Sequence, residues 1–80
     1  MNEELILKVQ QVFRKVFQDP ELMIAPGQTA QDIAGWDSLT HMTLIAELEG
    51  FFSIRLTFEE VSRFKTIGDL LLLIASKIKK

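Results

Sequence analysis

The chain has no cysteine and a single histidine in eighty residues. That excludes a disulfide framework, a thiolate nucleophile and a cysteine-based metal centre, and one imidazole is too few for a protein-only zinc site. Positive charge is also scarce. Nine Lys and Arg stand against eleven Asp and Glu, for a net charge of −2 and a pI near 5.3. Nucleic-acid binding calls for a basic face, so none is expected. The longest wholly apolar run is Leu70 to Ala75, far short of the roughly 20 residues that span a bilayer, so no membrane span is expected. The N-terminus, MNEELILKVQ, places acids where a signal peptide needs positive charge. A cytoplasmic protein is the expectation, as one domain over residues 1–80 and a monomer. Its size leaves little room for a deep, water-excluding active site, although 48% hydrophobic residues are ample for a core.

Strand-like alternation, repeats and low-complexity tracts are lacking too, and what remains is helical. Ile6, Val9, Phe13 and Val16 recur at three- and four-residue steps, which predicts a helix over Asn2 to Phe17 with one apolar stripe. Asn2 suits its cap, and Glu3 and Glu4 suit the positive end of its dipole. Gln18 to Trp36 holds both prolines, Pro20 and Pro26, with Gly27 and Gly35, and reads as a long loop. Loops of that length usually have a function or local structure of their own; Leu22, Ile24 and Ile33 are expected to pin this one to the core. A second helix starts at Asp37 or Ser38 and runs to Phe51 or Phe52. Leu39, Met42, Ile45, Ala46, Leu48 and Phe52 give it a broad apolar surface, and Gly50 weakens its last turn.

Ser53 to Leu56 is a further loop. Thr57-Phe58-Glu59-Glu60 matches a capping box and starts a short third helix ending near Phe64. Thr66, with Asp69 three residues on, starts a fourth, which finishes on Lys77, Lys79 and Lys80, cations suited to a helix C-terminus. The predicted fold class is all-α: a four-helix bundle with a short third helix and a long loop between helices one and two.

The segment Gly35-Trp36-Asp37-Ser38-Leu39-Thr40-His41 is the most informative. It sets a serine between an acid and a leucine where loop becomes amphipathic helix. Unpaired N–H groups and the helix dipole favour negative charge there, so the hydroxyl is well placed to carry a phosphate. Aspartate and serine are also good N-caps, and on those residues alone a structural role is as good a reading. His41, three residues after Ser38, makes a Ser–His–Asp relay imaginable. A hydrolase, however, needs an oriented acid, an oxyanion hole and a shielded cleft, and a surface histidine is the expectation. Trp36 packs under the loop or contacts whatever Ser38 carries.

In its order of elements the chain resembles acyl carrier proteins throughout, most strongly from Thr29 to Phe64. Asp32-Ile33-x-Gly35-Trp36-Asp37-Ser38-Leu39-Thr40-His41-Met42, then Ala46-Glu47-Leu48-Glu49, Phe52 and Ile54-x-Leu56-Thr57-x-Glu59-Glu60 carry the likeness. The first of these is most similar to discrete carriers of polyketide-type or other specialised pathways. The resemblance implies that Ser38 receives 4′-phosphopantetheine from coenzyme A, bearing an acyl group as a thioester, and that the protein does no catalysis itself. It implies as partners a phosphopantetheinyl transferase and acyl- or aminoacyl-activating and acyl-transferring enzymes. Asp37, Leu39, Met42, Ala46 and Glu47 would form the docking surface, although core packing is the plainer reading of the apolar three. The chain departs from fatty-acid carriers, whose second helix is strongly acidic, by placing Thr40, His41 and Thr43 where acids are often found, with Phe51 at a commonly polar position. This points to a dedicated partner with a less basic, more apolar surface. A peptidyl or aminoacyl carrier loaded by an adenylating enzyme, and a helical interaction module without a prosthetic group, are the alternatives.

Overall fold

A computed structural model of the chain describes residues 3–78. Its elements are α1 (Glu3–Phe17), a 3₁₀ turn (Ala30–Asp32), α2 (Ser38–Phe52), α3 (Phe58–Arg63) and α4 (Ile67–Ile78). The all-helical bundle, the long first loop and the short third helix are as the sequence predicts. The expected Asn2 cap and the terminal Lys79 and Lys80 lie outside the described residues.

Helix α1 packs on both α2 and α4. It buries Leu5, Val9, Val12 and Phe13, while Ile6 and Val16 of the predicted stripe are only half-buried. Helix α2 contributes Leu44 and Leu48, and α4 contributes Ile67, Leu70, Leu71 and Ile74, all fully enclosed. Each such side chain stabilises the fold by about 1.5–3 kcal/mol relative to exposure. Of the α4 leucine run, Leu72 faces out at 62% exposure.

The first loop is held by apolar pins and polar hooks. Ile24 and Ile33 are buried and Leu22 half-buried, as expected. Gln10, itself buried, accepts the Ile24 amide through Oε1 at 2.9 Å, and Arg14 Nε donates to the Leu22 carbonyl at 2.7 Å. Farther on, the loop meets the start of α4: the Ile67 amide donates to the Gln28 carbonyl at 2.9 Å and the Gly68 amide to the Pro26 carbonyl at 2.8 Å. Two N–H groups left over at a helix start thereby find partners in the loop.

Each helix start after α1 has a side-chain cap. Thr57 and Glu60 form the predicted box at α3. Thr66 Oγ1 accepts the Asp69 amide at α4, and Asp69 Oδ2 accepts those of Lys65 and Thr66. A further box, Thr29 with Asp32, closes the 3₁₀ turn inside the loop. Helix α2 runs through Gly50 and stops at Ser53, which adopts the left-handed conformation (φ 56°). The Glu49 carbonyl accepts the amides of Ser53 and Ile54, and its carboxylate accepts the Leu56 amide at 2.8 Å. Glu49 thus shapes the connection into α3. Lys77 of α4 then ties α3 down through a 2.6 Å contact with Glu60.

Candidate functional site

The turn entering α2 is made by Gly35, whose φ of +87° is open to glycine at little cost. Trp36 follows with its amide on the Ile33 carbonyl at 3.3 Å. Asp37 is the N-cap of α2: its Oδ1 accepts the Thr40 amide at 2.9 Å, while Thr40 Oγ1 accepts the Asp37 amide at 2.8 Å. The same hydroxyl donates to the Gly35 carbonyl at 2.8 Å. Thr40, noted from sequence as standing where acids are often found, is therefore the other half of the cap. These donors, the Thr40 amide first and then its hydroxyl, hold the Asp37 carboxyl below the usual carboxylate range.

Ser38 is the first helical residue and is exposed. Its hydroxyl makes no hydrogen bond among the described residues. It is the carboxylate of Asp37, not Ser38, that caps the helix N-terminus. An exposed, unengaged hydroxyl on a rigid helix start fits a covalent phosphodiester to an arm delivered from outside.

His41 departs from expectation. It is half-buried rather than a surface residue, because the rings of Trp36 and Phe64 pack against it. The Trp36 indole N–H donates to His41 Nδ1 at 3.1 Å, so the two rings meet edge to edge, within 23° of parallel and 6.1 Å between centroids. The Phe64 ring also lies near-parallel to His41, at 5.6 Å between centroids. Trp36 in turn packs edge-on against Phe13 and leans on Phe17. The tryptophan therefore does pack beneath the loop. It also lines a shallow hollow of about 290 Å³ beside Ser38, with Ala30, Asp37 and His41. Asp37 bonds Thr40 and His41 bonds Trp36, so these residues do not form a relay to Ser38.

Between α2 and α3 runs an open groove of about 500 Å³, lined largely by Met42, Ile45, Ala46, Leu56, Phe58 and Val61, with His41 also on its wall. Of the expected docking residues, Leu39 (72% exposed) and Met42 (70%) face solvent, as does Ala46. Glu47 is drawn toward α1 by Lys15 at 3.1 Å. The sequence reading missed Phe58, which is 89% exposed. A large apolar residue directly after a capping threonine on a helix of only six residues was the available signal. Phe51, in contrast, packs on Phe52 and lines a separate hollow with Leu5 and Ile78.

Residues 7–74 match the family described as the phosphopantetheine attachment site. The chain is 26% identical over 77 residues to an acyl carrier protein of Exiguobacterium sibiricum, covering 96% of this chain and 98% of that one. Its fold superposes on the solution structure of a holo acyl carrier protein from Geobacter metallireducens with a TM-score of 0.87 and 35% identity, over 92% of this chain and 85% of that one. With a helix-borne serine in a D-S-L turn and a family match across most of its length, the chain belongs to the acyl carrier proteins, which hold phosphopantetheine covalently.

Proposed function

We propose that Ser38 is the attachment point of the phosphopantetheine arm and that residues 1–80 act as one cytoplasmic, monomeric carrier domain with no catalysis of its own. The observation that carries this is the exposed, unengaged Ser38 hydroxyl on the first residue of α2, within the G-x-D-S-L turn. The terminal thiol of the arm carries an acyl group as a thioester. The protein contributes presentation: tethering raises the effective concentration of the intermediate at each enzyme that docks. A phosphopantetheinyl transferase supplies the arm, so Ser38 needs no base of its own.

The docking surface is formed by Asp37, Leu39, Met42 and Ala46, with Phe58 across the groove and Glu47 as a minor contact. Three large apolar side chains exposed on α2 and α3, Leu39, Met42 and Phe58, support this, since such patches mark interaction sites. The first turn of α2 carries no acid, which favours a dedicated partner with an apolar face, such as an acyl-transferring enzyme of a specialised pathway. Loading by an adenylating enzyme, as in an aminoacyl carrier, uses the same serine and differs in the activating partner.

Intact mass after incubation with coenzyme A and a broad-specificity transferase is the test. The wild-type chain gains one phosphopantetheine, and Ser38→Ala gains none while keeping its helical circular dichroism. A wild-type chain that gains no mass defeats the proposal, and so does an equal gain on Ser38→Ala.

A further inference from the structure

We propose that His41 is a positioning residue for the arm: with Nδ1 held by Trp36, its Nε2–H donates to an oxygen of the arm as the arm leaves Ser38 for the groove between α2 and α3. The inference rests on the assignment of Ser38 as the attachment point.

The tautomer follows from the partner. An indole N–H can only donate, so Nδ1 at 3.1 Å must accept, and the neutral ring carries its proton on Nε2. Orientation follows from packing. The Trp36 ring lies edge to edge with the imidazole at an interplanar angle of 23°, and the Phe64 ring lies near-parallel to it at 29°. Together with the hydrogen bond they leave the ring little freedom to turn. Among the described residues Nε2 has no hydrogen-bond partner, although the residue is half-buried. No buried side-chain nitrogen or oxygen among the described residues lacks a partner, so Nε2 reaches solvent and is open to an acceptor arriving from outside.

Position supplies the acceptor. His41 lies three residues after Ser38, and helical side chains lean toward the N-terminus, so the two are neighbours on one face. His41 also lines both the hollow beside Ser38 and the groove walled by Met42 and Phe58. An arm running from one to the other passes this residue. The arm offers phosphodiester and amide carbonyl oxygens, and either accepts from an imidazole N–H.

Nitrogen-15 NMR of the whole chain, without the arm and loaded with it, tests the proposal. Before loading, the imidazole pattern should show Nε2 protonated and Nδ1 bare. After loading, the Nε2–H resonance should move downfield and exchange more slowly with water, and the ring protons should show NOE contacts to the arm. His41→Phe keeps a ring between Trp36 and Phe64 but has no donor, and should lose the effect on the arm; His41→Gln restores an N–H near the Nε2 position and should recover it. The phosphorus-31 resonance changes in His41→Phe if the acceptor is the phosphate, and the arm amide resonances change if it is a carbonyl.

A proton on Nδ1 before loading overturns the proposal, as does an Nε2–H untouched by loading or His41→Phe arm resonances identical to wild type. Should His41→Phe not fold, the wild-type tautomer and contacts decide. A wild-type chain that gains no arm mass removes the attachment assignment and this inference together, whereas a loaded chain without His41 contacts removes only this inference.

Discussion

Gly68 of α4 stands against Pro26 of the first loop so closely that a Cβ on it would lie 3.0 Å from the Pro26 carbonyl oxygen, which accepts the Gly68 amide. Both atoms are backbone or ring-constrained, and the adjacent Gln28–Ile67 bond fixes the loop from the other side. Gly68→Ala gains up to about 1 kcal/mol of helix propensity, less at a first turn, and meets an overpacking cost of about 1–3 kcal/mol. The net expectation is a loss of roughly 1–2 kcal/mol in urea unfolding. A more stable variant would show that the loop yields freely.

The cap of α2 gives a second test. Thr40→Val keeps the shape of the side chain but removes the hydroxyl that accepts the Asp37 amide and donates to the Gly35 carbonyl. Capping interactions of this kind contribute about 0.5–2 kcal/mol. We expect a loss of about 1 kcal/mol, with the yield of arm attachment at Ser38 unchanged by intact mass. No loss of stability would mean the box is redundant with the Asp37 carboxylate alone.

Acid should weaken the fold through its helix starts. Hydrogen bonds from Thr40 to Asp37, from Lys77 and then Thr57 to Glu60, and from the Lys65 and Thr66 amides to Asp69 hold all three carboxyls below their ordinary values. A carboxyl whose pKa is lower folded than unfolded favours the folded state when ionised. That contribution is complete above the unfolded values, about 4, and fades as pH falls through the lower folded ones. Tm should therefore drop between about pH 5 and pH 2.5, and less steeply in the triple variant Asp37→Asn, Glu60→Gln, Asp69→Asn. A Tm that rises on acidification would contradict the sign.

The proposed docking face separates from the core by substitution. Met42→Glu and Phe58→Ser alter exposed side chains and should change stability by less than about 1 kcal/mol while impairing acyl transfer to the native partner. Leu44→Ala, two residues from Met42 but fully enclosed, should cost about 2–5 kcal/mol. A salt series on the native pair should weaken binding only mildly, because an apolar contact is not screened as exposed charges are. Steep salt dependence, or a Met42→Glu variant that transfers normally, would count against this face.

These residues show where sequence was informative. Thr57-x-x-Glu60 marked α3 because a capping box is local: four consecutive residues satisfy one another. The D-S-L turn was legible for the same reason. The partner of Asp37 was not, since Thr40 reverses the usual order of hydroxyl and acid in a box. In α2 the enclosed residues are Leu44 and Leu48, of which the apolar pattern picked out only the second. That helix is apolar nearly all round, and a periodicity argument has no polar face to measure against. His41 was misplaced because its surroundings come from Trp36 before it and Phe64 well after it. No local pattern announces a stack assembled by the tertiary fold.

The ring packed against His41 has a practical consequence. Trp36 is the only tryptophan, and the chain has no tyrosine, so its near-ultraviolet emission comes from one place, two residues from Ser38. Its indole already touches an imidazole and two phenyl rings. Events at the start of α2 reach the chromophore directly, while those at the far end of the bundle do so only through the packed core. The protein thus contains its own unlabelled optical probe, placed beside the proposed attachment point of the arm.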